Sequence, residues 1–262
     1  MDPILSDVRS RWHYPDAAQH KALSLCADPY FPYDPHPGYI SILVTLMDFQ
    51  PSKPTMPPSM SHHPSADQII SLYDRHATTW NDLRINHFVD RKWIERFRSL
   101  LPAAATVLDL GCGSGQPVAR YLIDGGASVV GVDSSAQMLA LCSTQFPTQA
   151  WIHADMRDLV LDRQFEAILA WNSFFHLKPD DQRQMFRIFQ HHAAPGALLM
   201  FTSGPSHGEA LGVFEGETLY HASLDPQEYA MQLTDHGFEL LEHIVEDPEC
   251  GGQTVWLGRR LP

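Results

Sequence analysis

The chain has 262 residues, enough for one large α/β domain and an appendage. Its 18 Lys and Arg against 31 Asp and Glu leave a net charge of −13, which opposes a nucleic-acid partner, and no run of basic residues interrupts that balance. No apolar run approaches the length of a membrane span, no basic segment followed by an apolar core opens the chain, and the four cysteines (Cys26, Cys112, Cys142, Cys250) lack the paired short spacing of a zinc site or disulfide framework. A reduced cytoplasmic compartment and no metal are the corresponding expectations.

Residues 1–59 carry half of the chain's 20 prolines, including Pro29, Pro32, Pro35 and Pro37 and then Pro51, Pro54, Pro57 and Pro58. Proline this dense removes backbone donors and blocks helix and sheet alike. The stretch is expected to be a largely disordered extension ahead of a domain spanning 60–262. Tyr39–Met47 is its one apolar segment, and Met56 and Met60 stand just before the first clear helix. A translation start placed too far upstream accounts for such a stretch; a regulatory or dimerisation arm is the rival reading.

From Ser65 the pattern changes. Ser65-Ala66-Asp67-Gln68 has the spacing of a capping box, and Ile69, Tyr73, Ala77 and Trp80 follow on one helical face. A second helix is expected over Arg91–Leu100, with Trp93, Ile94 and Phe97 on its apolar side.

The chain is organised around Thr106–Ser135. Val107-Leu108-Asp109-Leu110 reads as a buried parallel strand; Gly111, Gly113 and Gly115 follow at alternate positions; a helix begins near Gln116; and Ser128–Val132 is a second strand ending in Asp133. Strand, glycine turn, helix, strand and acid make a βαβ nucleotide-binding unit, in which the terminal acid accepts hydrogen bonds from ribose hydroxyls. A dinucleotide fingerprint G-x-G-x-x-G would put its third glycine where Gln116 stands. What is present is Asp109-x-Gly111-x-Gly113-x-Gly115, and an acid inside the first strand suits a ligand with an ammonium group better than a pyrophosphate. This pattern resembles motif I of the class I S-adenosylmethionine-dependent methyltransferases.

That resemblance implies a Rossmann-like α/β fold, with a seven-stranded, mostly parallel sheet in the order 3-2-1-4-5-7-6 and helices on both faces. It implies S-adenosylmethionine as cofactor, with Asp109, Gly111, Gly113, Gly115 and Asp133 around it. Ser134 and Met138, at the Ser-capped helix start that follows, would lie beside ribose and adenine. Asp155 would accept from the adenine amino group and Met156 lie against its ring, after a third strand over Ala150–Ala154. Trp171, ending the fourth strand Phe165–Trp171, completes the cofactor set from the sheet. In relatives with small substrates the leading helices cover the cofactor, so Tyr73, Trp80 and Arg84 are expected to reach it, Arg84 at its carboxylate.

Past Trp171 comes Asn172-Ser173-Phe174-Phe175-His176, without the Asn-Pro-Pro-Tyr or Asp-Pro-Pro-Tyr sequence of base and glutamine methyltransferases. Pro179 opens a covering helix carrying Met185, Phe186 and Phe189. A fifth strand, Ala197–Thr202, leads into a Gly-rich insertion over Ser203–Leu224, with a turn at Glu215-Gly216 and polar reach from His207, Glu209, Tyr220 and His221. A helix from Asp225 to Gly237 and two strands, Glu239–Val245 and Thr254–Leu257, close the chain. The expected activity is methyl transfer to the oxygen, nitrogen or carbon of a small molecule, and His176 and His221 are the candidate proton acceptors. A S-adenosylmethionine-binding sensor or degenerate subunit is the alternative, and a pyridine-nucleotide oxidoreductase stands third. The sequence is silent on oligomeric state.

Overall fold

A computed structural model describes residues 62–262, and the readings of residues 1–59, Tyr39–Met47 and Cys26 lie outside it. Helix α1 (Ile69–Arg75) and helix α2 (Ala77–Asn86) meet at His76, and α3 (Arg91–Ser99) follows. Then come β1 (Thr106–Leu110), α4 (Val118–Asp124), β2 (Ser128–Asp133), α5 (Ala136–Gln145), β3 (Ala150–His153) and β4 (Phe165–Ala170). The remainder is α6 (Pro179–His192), β5 (Ala193–Ser203), β6 (Gly208–Phe214), β7 (Glu217–Ser223), α7 (Pro226–Asp235), β8 (Phe238–Asp247) and β9 (Gln253–Arg260).

Seven strands form one sheet in the order β3-β2-β1-β4-β5-β9-β8, and β6 and β7 pair separately as a hairpin. Counted without the hairpin, this is the 3-2-1-4-5-7-6 order. The strands from β3 to β5 are parallel, while β9 runs antiparallel to both β5 and β8.

Alternation along β1 sorts the core into two layers. Leu108 and Leu110 join Met185, Phe186 and Phe189 of α6 and Tyr229 and Leu233 of α7. Val107 faces the other way, onto Trp93, Ile94 and Phe97 of α3 and Val118, Ala119 and Leu122 of α4. By the same period Asp109 stands on the α3 and α4 face. No helix among the described residues is long and apolar enough to cross a membrane.

Several local expectations change. The capping box at Ser65 does not form. Pro64–Gln68 is a 3-10 turn capped by His63, whose ring accepts from the Ser65 amide and bonds the Ser65 hydroxyl at 2.7 Å, while Gln68 makes no capping bond. A proline at the first position favours this tight entry, and the helix proper starts only at Ile69. The glycine-loop helix starts at Val118 rather than Gln116, and β5 starts already at Ala193, with a bulge opposite Phe165 and Ala167. The turn expected at Glu215-Gly216 does form, as the tip of the β6–β7 hairpin that makes up most of the Ser203–Leu224 insertion. Its turn residues Glu215 and Gly216 both have positive φ, the backbone that matches a two-residue turn to the twist of its strands.

Candidate functional site

The carboxyl ends of β1, β2 and β4 open onto one cavity, where ligands bind in open α/β sheets. Asp109, Gly111 and Gly113 line its floor. A Cβ on Gly111 would stand 2.3 Å from Ser173 Cβ, and Gly113 has φ +55°, so both turns require glycine. Gly115 does not line the cavity: its bare Cα faces Phe146 and Cys142 of the α5 layer, so it packs the loop from behind.

Asp133 accepts from the Gly113 amide and the Ser135 amide, each at 2.8 Å, so the acid ending β2 also shapes the loop from β1. Burial pushes its carboxyl up, against the pull of those backbone donors. Asp109 is more extreme. It is buried, and burial first and the Asp133 charge second push its carboxyl up to about 7. No hydrogen bond or ion pair from the described residues offsets that cost.

Ser134 and Met138 line the wall beside Asp133. Ser135 caps α5 by accepting from the Met138 amide and donates to Asp74 of α1 at 2.7 Å, tying the leading helices to the sheet. Asp155 and Met156 lie on the next wall. Burial raises the Asp155 carboxyl, but hydrogen bonds from Arg157 outweigh it and hold the group below the usual range; Arg157 also reaches Asp181 at 3.1 Å.

Tyr73, Trp80 and Arg84 from α1 and α2, and Trp171 after β4, close the cavity from above. Arg84 pairs with Asp90 at 2.8 Å, and the same Asp90 oxygen accepts from Trp171 Nε1 at 2.5 Å and from Asn172 at 3.3 Å. Asp90 Oδ1 and Asn172 Oδ1 are buried without a hydrogen-bond partner among the described residues. Reading the sequence missed Asp90. Just ahead of α3 it has the place of an N-cap, yet its side chain makes no capping bond and turns inward to the tryptophan.

The hairpin clamps this roof. Phe214 packs against Tyr73, His76 and Trp80 at ring separations of 6.0, 5.8 and 5.6 Å, Glu217 pairs with Arg75 and His76, and Glu209 with His62 at 2.8 Å. His176 lines the cavity, whereas His221 does not and lies behind it, the two rings 4.9 Å apart. Lys178, Arg157 and Asp181 stand at the cavity edge, Lys178 paired with Asp67 at 2.5 Å.

Residues 107–196 match the family model of a methyltransferase domain. Over 77 residues, 29% of this chain and 30% of the relative, the sequence is 40% identical to dTDP-3-amino-3,6-dideoxy-alpha-D-glucopyranose N,N-dimethyltransferase of Streptomyces fradiae. It is 35% identical over 128 residues to trans-aconitate 2-methyltransferase of Azoarcus sp., covering 46% of this chain and 49% of that one. The matched stretches thus span half or less of these relatives' length. Among solved structures, 1,6-didemethyltoxoflavin-N1-methyltransferase of Burkholderia thailandensis, bound to 1,6-didemethyltoxoflavin and S-adenosylhomocysteine, superposes with a TM-score of 0.62 at 18% identity, over 80% of this chain and 94% of that one. The DhpI complex with S-adenosylhomocysteine gives 0.61 at 21% identity, over 77% and 100%. At these identities the likeness is one of fold.

Proposed function

We propose that this chain, a class I methyltransferase by fold and by the domain matched over residues 107–196, binds S-adenosylmethionine and methylates a small molecule. The observation that carries the reading is the Asp109 carboxylate, buried beside Asp133 with no cation from the described residues against it. A ligand that brings positive charge to this spot relieves the cost of burying the acid, and a pyrophosphate would add to it. S-adenosylmethionine, when bound, supplies an ammonium and a methyl group activated on a sulfonium.

The chain's residues divide the work of holding it. Asp133 accepts from the ribose hydroxyls while fixing Gly113. The bare Gly111 and Gly113 let the backbone come close, and Gly115 supports them by packing. Ser134, Met138, Asp155 and Met156 border the adenine, and Tyr73, Trp80 and Trp171 enclose the reacting end against water. Arg84, held by Asp90, directs its remaining donors at the carboxylate. Aligning donor and acceptor then supplies much of the rate.

The activities that give these relatives their names, on an amino sugar and on trans-aconitate, support a small acceptor. The net charge of −13 opposes nucleic acid. Free thiols at Cys112, Cys142 and Cys250 suit a reducing cytoplasm. His176 and His221 remain the candidate proton acceptors, His176 on the cavity wall and His221 behind it.

Calorimetry with S-adenosylmethionine, S-adenosylhomocysteine and NAD, followed by a screen of metabolite pools with methyl-labelled S-adenosylmethionine, tests the reading. Binding of the first two ligands and label in a small molecule are expected. Binding of NAD alone would overturn it, and binding without transfer to any pool would favour a sensor.

A further inference from the structure

One oxygen of Asp90 gathers three donors. Arg84 Nη2 reaches Asp90 Oδ2 at 2.8 Å, Trp171 Nε1 at 2.5 Å and Asn172 Nδ2 at 3.3 Å. A carboxylate only accepts, so the Asn172 amide turns its NH2 toward Asp90, and the carbonyl oxygen Oδ1 is the end left over. Oδ1 is buried without a hydrogen-bond partner among the described residues, and Asn172 lines the cavity. The residue stands just past β4 at φ +53°, a left-handed backbone that asparagine tolerates better than most, and its amide N–H donates to Thr202 Oγ1 at 2.9 Å. An amide oxygen buried and unpaired carries a cost that a ligand's donor would relieve.

We propose that Asn172 Oδ1 accepts from the α-ammonium of the cofactor, and that Asp90 is the positioning residue that sets it beside Arg84 to hold an α-amino-acid zwitterion. This rests on the S-adenosylmethionine reading of the site. An α-amino acid carries its ammonium and its carboxylate on one carbon, so a site for it needs an acceptor and a donor close together. Arg84 and Asn172 meet on the same Asp90 oxygen, and both line the cavity. Of the five guanidinium N–H donors of Arg84, Asp90 and the His87 carbonyl, at 3.4 Å, engage two among the described residues.

The acid expected at the ammonium stands next door. Asp109 of β1 pairs in register with Leu169 of β4, three residues before Asn172, and it lines the same cavity. The turns after β1 and β4 touch, since a Cβ on Gly111 would meet Ser173. The ammonium thus has a carboxylate from β1 and a neutral oxygen from β4, which adds a directed hydrogen bond without burying another charge. A pyrophosphate in this place would offer Oδ1 no donor.

Calorimetry on the full chain with three probes tests this: S-adenosylhomocysteine, its deamino analogue with hydrogen in place of the ammonium, and 5′-methylthioadenosine, which lacks the amino-acid end. Asn172→Gly removes the amide and leaves a residue at ease with positive φ. It should weaken S-adenosylhomocysteine by roughly 10–100-fold and leave the other two probes near their wild-type affinities. Asp90→Asn, which loosens Arg84 and Asn172 together, should weaken S-adenosylhomocysteine and the deamino analogue but not 5′-methylthioadenosine. In the wild type, the ¹³C signal of the Asn172 side-chain carbonyl should move when S-adenosylhomocysteine binds and stay in place with the deamino analogue. Equal losses for those two ligands in Asn172→Gly, or a carbonyl signal that responds to both alike, overturns the assignment of Asn172. A loss shared by 5′-methylthioadenosine in Asp90→Asn makes Asp90 a structural residue only and overturns its positioning role. Failure of the wild type to bind any of the three probes would instead sink the S-adenosylmethionine reading.

Discussion

Replacing Asp109 by Asn removes one buried carboxylate from the end of β1 and should move two equilibria in opposite directions. The native carboxyl titrates at about 7, against an ordinary value of 3.8, chiefly because it is buried and secondarily because Asp133 lies nearby. The native state therefore holds a proton between about pH 4 and 7 that the unfolded chain has released. Stability of the unliganded protein falls as pH rises through that window and levels off above about 7. At 1.36 kcal/mol per unit the full effect is on the order of 4 kcal/mol. An Asn amide buried in its place costs roughly 1–3 kcal/mol if its groups find no partners, so the net gain of Asp109→Asn at pH 8 is about 1–3 kcal/mol. At pH 4, where the wild-type carboxyl is protonated, only the cost of the amide is left and the variant should be the less stable by about 1–3 kcal/mol. Urea denaturation of both proteins without ligand at pH 4, 6 and 8 measures it. The same variant should bind S-adenosylmethionine far more weakly, because a neutral amide no longer attracts the cation. For the wild type, affinity should rise with pH up to about 7 as Asp109 ionises. A stability difference independent of pH would refute the buried-acid argument, and undiminished affinity in the variant would refute the role of the charge.

Asp133→Ala should weaken S-adenosylmethionine binding by roughly 1.5–3 kcal/mol in calorimetry, since it removes charge-assisted hydrogen bonds together with the anchor of the Gly113 amide. Wild-type affinity would contradict the site. Asp90→Ala strips the buried partner from Arg84 and Trp171 Nε1 and should cost about 3–5 kcal/mol in urea denaturation. Phe214→Ala removes the ring shared by Tyr73, His76 and Trp80, at a cost of roughly 1–3 kcal/mol for a half-buried aromatic. Amide exchange should quicken over residues 69–86 and 208–223 and stay unchanged in the central sheet; uniform protection would show that the hairpin does not clamp the helices.

The organising unit was legible from the chain because its signals are local. An apolar run, three closely spaced glycines and an acid some twenty residues on need only neighbours in sequence to become strand, turn, helix and strand. The caps Ser135 and Asp225 and the Glu215-Gly216 turn are of the same kind, decided by backbone dihedrals and hydrogen bonds a few residues apart. The sheet order came with the family resemblance carried by this unit, since a βαβ unit and a terminal antiparallel pair do not by themselves fix the order of seven strands. Where two local partners compete the reading fails: Ser65 has the spacing of a capping box, yet the His63 ring two residues away takes its place. The site itself is a different matter. Asp90 has the sequence position of a helix cap, and only the packing of α3 against β4 turns it to Trp171 and Arg84. His176 and Tyr73 are 103 residues apart, and their hydrogen bond exists because the hairpin and the leading helices converge on the same strand ends. Sequence spacing decides which elements form and what residues their ends carry. Which side chains from different elements meet, and so which polar atoms are left for a ligand, is decided by burial across the whole domain.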